Sequence, residues 1–324
     1  MKETIYLVAP SFGCTTSPYE ERLKRAIPRF EELGHKVIVG PNCFLNIGKC
    51  ASNTPILRAK EFMEAYESEA DWIISVGGGE MESEILDYID FKKLKSLPPK
   101  MFVGFSDNTH LTFTLTTLLN IPTIYGPNAP SYHFKDFSYD VKDAYDMLNG
   151  KKEFKGYPKY ESLKDTTDPF ADYNLDSKKI ITAYNYKEPF KGTIIGGNLD
   201  VLIQLCGTPY DKMTEYASNQ KEGIIFYCEA CDLSVLGIKR ALLQLKRANW
   251  FKNVKGFLIG RPLCINEEFL GIDHINAVVD ILNDFNVPIL LDVDLGHLAP
   301  NMPIKNGVKC EVKYENKNIF IKYE

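Results

Sequence analysis

No apolar run in the 324 residues approaches the length of a membrane span. The opening MKETIYLVAPSFG carries only a short apolar stretch, which reads as a first strand entering a loop rather than an export signal. A cytoplasmic protein with no membrane partner is therefore expected. Positive charge is also short: 38 Lys and Arg stand against 43 Asp and Glu. A nucleic-acid binder usually shows a basic stripe, so that class is set aside. The eight cysteines have no framework of spacings, as in a reducing compartment. Cys228 and Cys231 form a CxxC, but no second CxxC and no histidine pair accompany it, so no metal is expected. Around Gly77-Gly78-Gly79-Glu80 the third glycine of G-x-G-x-x-G and the Walker lysine are both missing. That weakens a phosphate loop, and with it a nicotinamide-dependent oxidoreductase. No cofactor is expected. Histidine is scarce, with five in the chain, so the setting of each one carries information.

What is present is an alternation of β-rich apolar runs and helical patterns. TIYLVA (4–9), KVIVG, DWIISV, MFVGF and IPTIYGP read as strands, with helices between them. In the first helical pattern, 17–34, Ser17 is expected as the cap, Pro18 at the first helical position, Glu20 as the capping-box partner and Gly34 as the stop, with a kink at Pro28. Strands of this kind, with little polar alternation, predict a parallel sheet covered on both faces. From about 141 to 190 the texture turns to Lys, Tyr, Asp and Pro without a sustained period. The expected division is a domain over 1–150, a linker or variable region over 151–190, and a second domain over 191–324. The tail GVKCEVKYENKNIFIKYE predicts a hairpin turning at ENKN.

Four segments could carry chemistry. In GFSDNT a strand turns at Gly104 and places Ser106 and Asp107 at a helix start. Ser106 either caps that helix or is a nucleophile exposed at a strand–turn–helix corner, where helix N–H groups could hold an oxyanion. Asn108 stands where G-x-S-x-G needs its second glycine. The Gly77–Gly79 loop is either a tight turn or a second source of oxyanion N–H groups. Glu229 ends the apolar run GIIFYCE, where parallel sheets present ligands. His297 follows VPILLDVDL, whereas His35, His110, His133 and His274 have no acidic or glycine-rich strand end beside them in the sequence. Ser106, Glu229 and His297 thus fall at three strand ends in an order that suits a charge relay, with His as base and Glu fixing its tautomer.

VAPS, GGGEMESEILDYIDF, GFSDNT, YGPN, GGNLDVLIQLCGTPY, VKGFLIGR and LGHLAPNMPI together resemble, in order and spacing, the LD-carboxypeptidase family of serine peptidases. That family includes muropeptide LD-carboxypeptidases and microcin C immunity peptidases. The resemblance is weakest between about 135 and 190. It implies an α/β fold: an N-terminal flavodoxin-like parallel-sheet domain bearing the serine, and a C-terminal mixed α/β domain bearing Glu and His. It further implies a site in the cleft between them, and a homodimer. Carried over, GFSD gives Ser106 as nucleophile and Asp107 as an oxyanion N–H. GGGE gives Gly78 or Gly79 as the second donor. YCEA gives Glu229, LGH gives His297, and Asn198 of GGNL is expected to line or brace the cleft. The implied activity is a metal-free serine carboxypeptidase working through an acyl-enzyme. Its small substrate would be a muropeptide tetrapeptide that loses D-alanine, or an aminoacyl-nucleotide-like amide. A non-catalytic peptide or small-ligand binder on the same fold is the alternative.

Overall fold

The computed structural model describes residues 2–162, 168 and 170–324. The chain divides into two compact units, Met1–Leu148 with Asp165–Asp172, and Asn149–Lys164 with Tyr173–Glu324.

In the first unit the strands are β1 (Thr4–Val8), β2 (Lys36–Val39), β3 (Trp72–Ser75), β4 (Met101–Gly104) and β5 (Thr123–Tyr125). They run parallel in the order β2-β1-β3-β4-β5. This is the flavodoxin-like order, whose ligand position lies outside the carboxyl ends of the strands near the β1/β3 switch point. Ile5, Leu7, Val8, Ile73, Ile74, Phe102, Val103 and Ile124 are all fully buried, as unbroken apolar strands between two helical layers must be. The helices are α1 (Tyr19–Glu32), α2 (Pro55–Glu67), α3 (Phe91–Ser96), α4 (Thr109–Leu119) and α5 (Tyr139–Leu148). Helix α1 corrects the capping expectation. It starts at Tyr19 with Pro18 in the cap position and no side-chain cap, and Glu20 pairs instead with Lys24, one turn on. Pro28 lies inside it.

Helix α4 is buried along most of its length despite its threonines. Thr114, Thr116 and Thr117 each donate to the carbonyl four residues back, at 2.5, 3.0 and 2.9 Å, which satisfies these three hydroxyls within the helix, whereas the buried Thr112 hydroxyl has no hydrogen-bond partner among the described residues. Ser106 does not cap it. The helix is preceded by a short 3-10 turn, Ser106–Asn108, and Asn108 holds the cap position.

The second unit contains β6 (Glu153–Lys155), β7 (Thr182–Tyr184), β8 (Phe190–Asn198), β9 (Ile224–Glu229), β10 (Val254–Gly260), β11 (Ile289–Val293), β12 (Lys309–Glu315) and β13 (Asn318–Tyr323). They form one eight-stranded sheet in the order β6-β13-β12-β8-β9-β10-β11-β7. Strands β8 to β11 are parallel, and the pairings outside them are antiparallel. The tail hairpin forms as expected: β12 and β13 are joined through Asn316 and Lys317, both at positive φ, as a tight two-residue hairpin turn requires. Helices α6 (Leu199–Leu205), α7 (Met213–Asn219), α8 (Val235–Arg247) and α9 (His274–Leu282) complete the unit. Asn198, Ser234 and Asp273 cap α6, α8 and α9 by accepting backbone N–H bonds. No helix among the described residues is long and apolar enough to cross a membrane.

Candidate functional site

The first unit presents Ser106 at the carboxyl end of β4 with φ at 63°, in the left-handed region. A residue with a Cβ is strained there, at a cost of about 1–2 kcal/mol, and the surroundings must hold it. Three polar ties do so. The Ser106 N–H donates to the Tyr125 hydroxyl at 3.2 Å, and the Phe105 N–H donates to Asn128 Oδ1 at 3.1 Å. Asn108 Nδ2 donates to the Gly77 and Phe105 carbonyls at 2.8 and 2.9 Å, stitching the glycine loop to the serine turn. Gly78 lies directly against the serine: a Cβ there would meet Ser106 Cβ at 3.1 Å and Oγ at 3.4 Å. Gly79 packs instead against Ser11 and Phe12.

Behind the serine, Asp107 is buried and well bonded. Its Oδ2 accepts from Ser11 Oγ at 2.5 Å and from the Glu82 N–H at 2.9 Å, and its Oδ1 faces His110 Nδ1 at 3.2 Å. Burial pushes the Asp107 pKa up, but the His110 contact, Ser11 and the Glu82 N–H outweigh it and hold the carboxyl below its usual value. Glu82 is the opposite case. It is fully buried, and both its carboxyl oxygens lack hydrogen-bond partners among the described residues. Burial first, and then the Asp107 charge, raise its pKa well above the ordinary range against the pull of Arg58. Donor atoms of Glu82, Asp107 and His110 lie within 4.8 Å of one another. However, His110 Nδ1 faces two acceptors, the Asp107 carbonyl at 3.0 Å and its carboxylate, and so carries a proton. A proton on Glu82, favoured by its burial, removes one of the two negative charges in this enclosed group.

The second unit presents a chain of three side chains. Asn198, at the carboxyl end of β8, donates through Nδ2 to Glu229 Oε1 at 2.9 Å. Glu229, the last residue of β9, accepts through Oε2 from His297 Nδ1 at 3.0 Å. Asn198 also caps α6, accepting the Val201 N–H on Oδ1 at 3.1 Å, so its amide orientation is fixed by both bonds. Gly296 brings the imidazole in: its φ is +118°, and a Cβ there would meet Glu229 Oε2 at 3.2 Å. Burial depresses the His297 pKa, but the Glu229 charge, a hydrogen bond with Cys231 and the bond to Glu229 raise it above its ordinary value.

A sequence profile described as the LD-carboxypeptidase N-terminal domain matches residues 5–126, and one described as the LD-carboxypeptidase C-terminal domain matches residues 191–312. The chain belongs to the LD-carboxypeptidase family. Among LD-carboxypeptidase relatives, the microcin C7 self-immunity protein MccF of Escherichia coli is 25% identical over 332 residues, covering 98% of this chain and 93% of its own. A Bacillus subtilis (strain 168) protein named as a probable murein peptide carboxypeptidase is 23% identical over 324 residues, covering 98% and 91%. The solved structure of MccF in complex with glutamyl sulfamoyl guanosine matches with a TM-score of 0.82 at 21% identity, covering 99% of this chain and 96% of that one. At that identity the likeness establishes a shared fold.

The residues singled out in this LD-carboxypeptidase family member fall into two groups. Gly78, Gly79, Ser106 and Asp107 belong to the first unit, and Asn198, Glu229 and His297 to the second. Sequence reading missed several of their partners. His110 and His274 do face carboxylates: His110 contacts Asp107, and His274 Nε2 lies 3.1 Å from Asp292 Oδ1. Asp107, three residues before His110, was a signal available in the sequence; Asp292, 18 residues from His274, was not. Glu82 and Ser11 also went unforeseen.

Proposed function

We propose that this chain is a serine carboxypeptidase in which Ser106, His297 and Glu229 act together on one acyl substrate. The observation that carries the reading is the 3.0 Å bond between His297 Nδ1 and Glu229 Oε2, itself braced by Asn198. It holds the proton on Nδ1 and leaves Nε2 as the face available to a nucleophile, the arrangement a Ser-His-acid relay needs. The left-handed Ser106 corner supports the same reading, because strain at a strand–turn–helix serine is a feature of nucleophile elbows.

In this mechanism Ser106 Oγ attacks the acyl carbonyl while His297 takes its proton. Backbone N–H groups of Asp107 and of Gly78 or Gly79 receive the oxyanion. The C–N bond breaks as His297 returns the proton to the leaving nitrogen. Water, deprotonated by the same imidazole, then cleaves the acyl ester and restores the serine. Two leaving groups fit the family. MccF has been solved with glutamyl sulfamoyl guanosine and with aspartyl sulfamoyl adenosine, and the Bacillus subtilis relative is named for murein peptide. An aminoacyl-nucleotide-like amide is the substrate proposed here, on the likeness to MccF and on the GGGEMESEILDYIDF segment of this chain.

The test incubates the protein separately with a muropeptide tetrapeptide and with an aminoacyl sulfamoyl adenosine, and reads products by mass spectrometry. Cleavage of the sulfamoyl compound to free amino acid is expected. Release of D-alanine instead would move the substrate to the muropeptide branch. Binding without turnover of either would favour a non-catalytic ligand-binding protein.

A further inference from the structure

Ser11, the last residue of the VAPS segment, is fully buried three residues beyond the end of β1. Its Oγ donates to Asp107 Oδ2 at 2.5 Å. The same Oγ lies against the glycine loop: a Cβ on Gly79 would stand 2.2 Å from it. One hydroxyl thus touches both Gly79 and Asp107, the loop and the turn whose N–H groups are proposed to receive the oxyanion. The neighbouring bonds tie the same segments together. Phe12, the next residue, donates its N–H to the Gly78 carbonyl at 3.1 Å. Asp107 Oδ2 also accepts the N–H of Glu82, three residues past Gly79, at 2.9 Å, and Oδ1 faces His110 Nδ1 on α4 at 3.2 Å. Arg58, fully buried on α2, donates through Nη1 to the Pro10 and Met81 carbonyls at 2.7 and 2.9 Å. It thereby fixes the residue before Ser11 and the residue before Glu82. All of these groups lie in the first unit.

We propose that Ser11 and the Asp107 carboxylate are a positioning pair for the oxyanion donors: their hydrogen bond sets the spacing between the glycine loop and the Asp107 N–H. The inference rests on the catalytic reading of Ser106 given above. Glycine has no side chain with which to lock its own place, so Gly78 and Gly79 take theirs from what packs on them. An ionised carboxylate only accepts, so the Ser11 hydroxyl must donate to it, and the bond has one sense and one geometry. Oxyanion donors must point at the oxygen as it forms, and losing one outright costs about 10²–10³ in rate. Ser11→Ala leaves both donors present but frees the loop from the turn, so the loss should be smaller, about tenfold. Asp107→Asn turns one acceptor oxygen into an amide N–H group that must confront Ser11 and Glu82 or His110. The loss there should reach about 10²-fold.

The experiment labels Ser106 with a fluorophosphonate. Ser106 Oγ attacks phosphorus, fluoride leaves, the serine proton passes to the base, and the phosphoryl oxygen takes the oxyanion position. The fraction labelled at completion counts competent serines. Rates are expressed per competent site, which a merely destabilising substitution would not lower. Wild type is compared with Ser11→Ala, Ser11→Cys, Asp107→Asn and the Ser11→Ala/Asp107→Asn double variant. Labelling should slow by about tenfold in Ser11→Ala and about 10²-fold in Asp107→Asn. Ser11→Cys, which keeps a weak S–H donor, should fall between wild type and Ser11→Ala, and it carries the comparison if the alanine variant does not fold. The double variant should be no slower than Asp107→Asn, because the two side chains share one bond. Hydrolysis of an aminoacyl sulfamoyl adenosine should lose kcat with KM unchanged. Wild-type labelling rates per competent site in both single variants overturn the inference. So do losses that multiply in the double variant, or a raised KM with kcat intact. A wild-type protein that takes no label removes the nucleophile reading itself, and the inference falls with it.

Discussion

The two candidate clusters, one in each unit, handle a buried carboxylate in opposite ways. In the second, the Asn198–Glu229–His297 chain gives each carboxylate oxygen a named donor, at 2.9 and 3.0 Å. In the first, Asp107 collects several donors while Glu82, whose own N–H serves Asp107, keeps two buried oxygens without hydrogen-bond partners among the described residues. The backbone differs as well. The second unit brings its imidazole in over a glycine at positive φ, where a side chain would collide, whereas the first places a serine in the left-handed region. A satisfied network fixes one protonation state and one geometry. A strained and partly unsatisfied one stores destabilisation around the side chain it displays. On this account the first unit gives up stability to expose a serine, and the second invests hydrogen bonds to orient a base.

Removing the displayed group should show this most strongly. Ser106→Ala is expected to reduce turnover by about three orders of magnitude or more. Ser106→Gly should be equally inactive yet more stable by about 1 kcal/mol, since glycine relieves the positive φ. A glycine variant that melts earlier than wild type would remove the strain from the account. Next, Glu229→Gln should reduce kcat/KM by about 10²-fold or more. Its amide cannot accept from both Asn198 and His297, so the imidazole loses its fixed tautomer. Near-normal rates would show that the acid only packs.

On the first unit's side, Glu82→Met deletes both unpartnered oxygens at similar volume and should stabilise the protein by about 1–3 kcal/mol at pH 8. The sign follows from linkage. Glu82 has a folded pKa above its unfolded value, so between the two the folded state binds more protons and stability falls as pH rises. The methionine variant should lose that decline in urea titrations run from pH 5 to pH 9. A wild-type curve that runs parallel to the variant's across the same window would mean that Glu82 titrates alike in the folded and unfolded states and would remove the raised pKa from the account. The smallest effect is expected at Asn198→Ala, which removes the α6 cap and one Glu229 donor. About 1 kcal/mol of stability and several-fold in kcat/KM should be lost together.

How much was legible in the sequence depends on the distance over which each feature is decided. The β2-β1-β3-β4-β5 unit was readable because unbroken apolar strands alternating with helices leave few parallel solutions. The tail hairpin was readable from its turn residues. The corner at Ser106 and the strand-end position of Glu229 were also local. What was not local was lost. Nothing in SPYEERL shows that Ser17 fails to cap α1, because Ser17 and Glu20 satisfy the capping-box spacing without adopting its geometry. The antiparallel edges of the second sheet come from short segments, β6 and β7, with too few residues to show a period. Glu82 sits in a polar-looking stretch, and only the packing of α2 and the 3-10 turn at Glu82–Tyr88 reveals that it is enclosed. The Cys231 N–H is held by Asp200, 31 residues away in the first turn of α6, a tie that no local pattern announces.

The central claim is that a serine on one unit and an imidazole on the other serve a single reaction. Rates of sulfamoyl-substrate hydrolysis by Ser106→Ala, His297→Gln and the double variant test it most directly. Side chains that act as one unit give non-additive losses, so the double variant should be no slower than the slower single one. Losses that multiply, with the double variant slower by the product of the two, would mean that Ser106 and His297 contribute independently and would contradict the account.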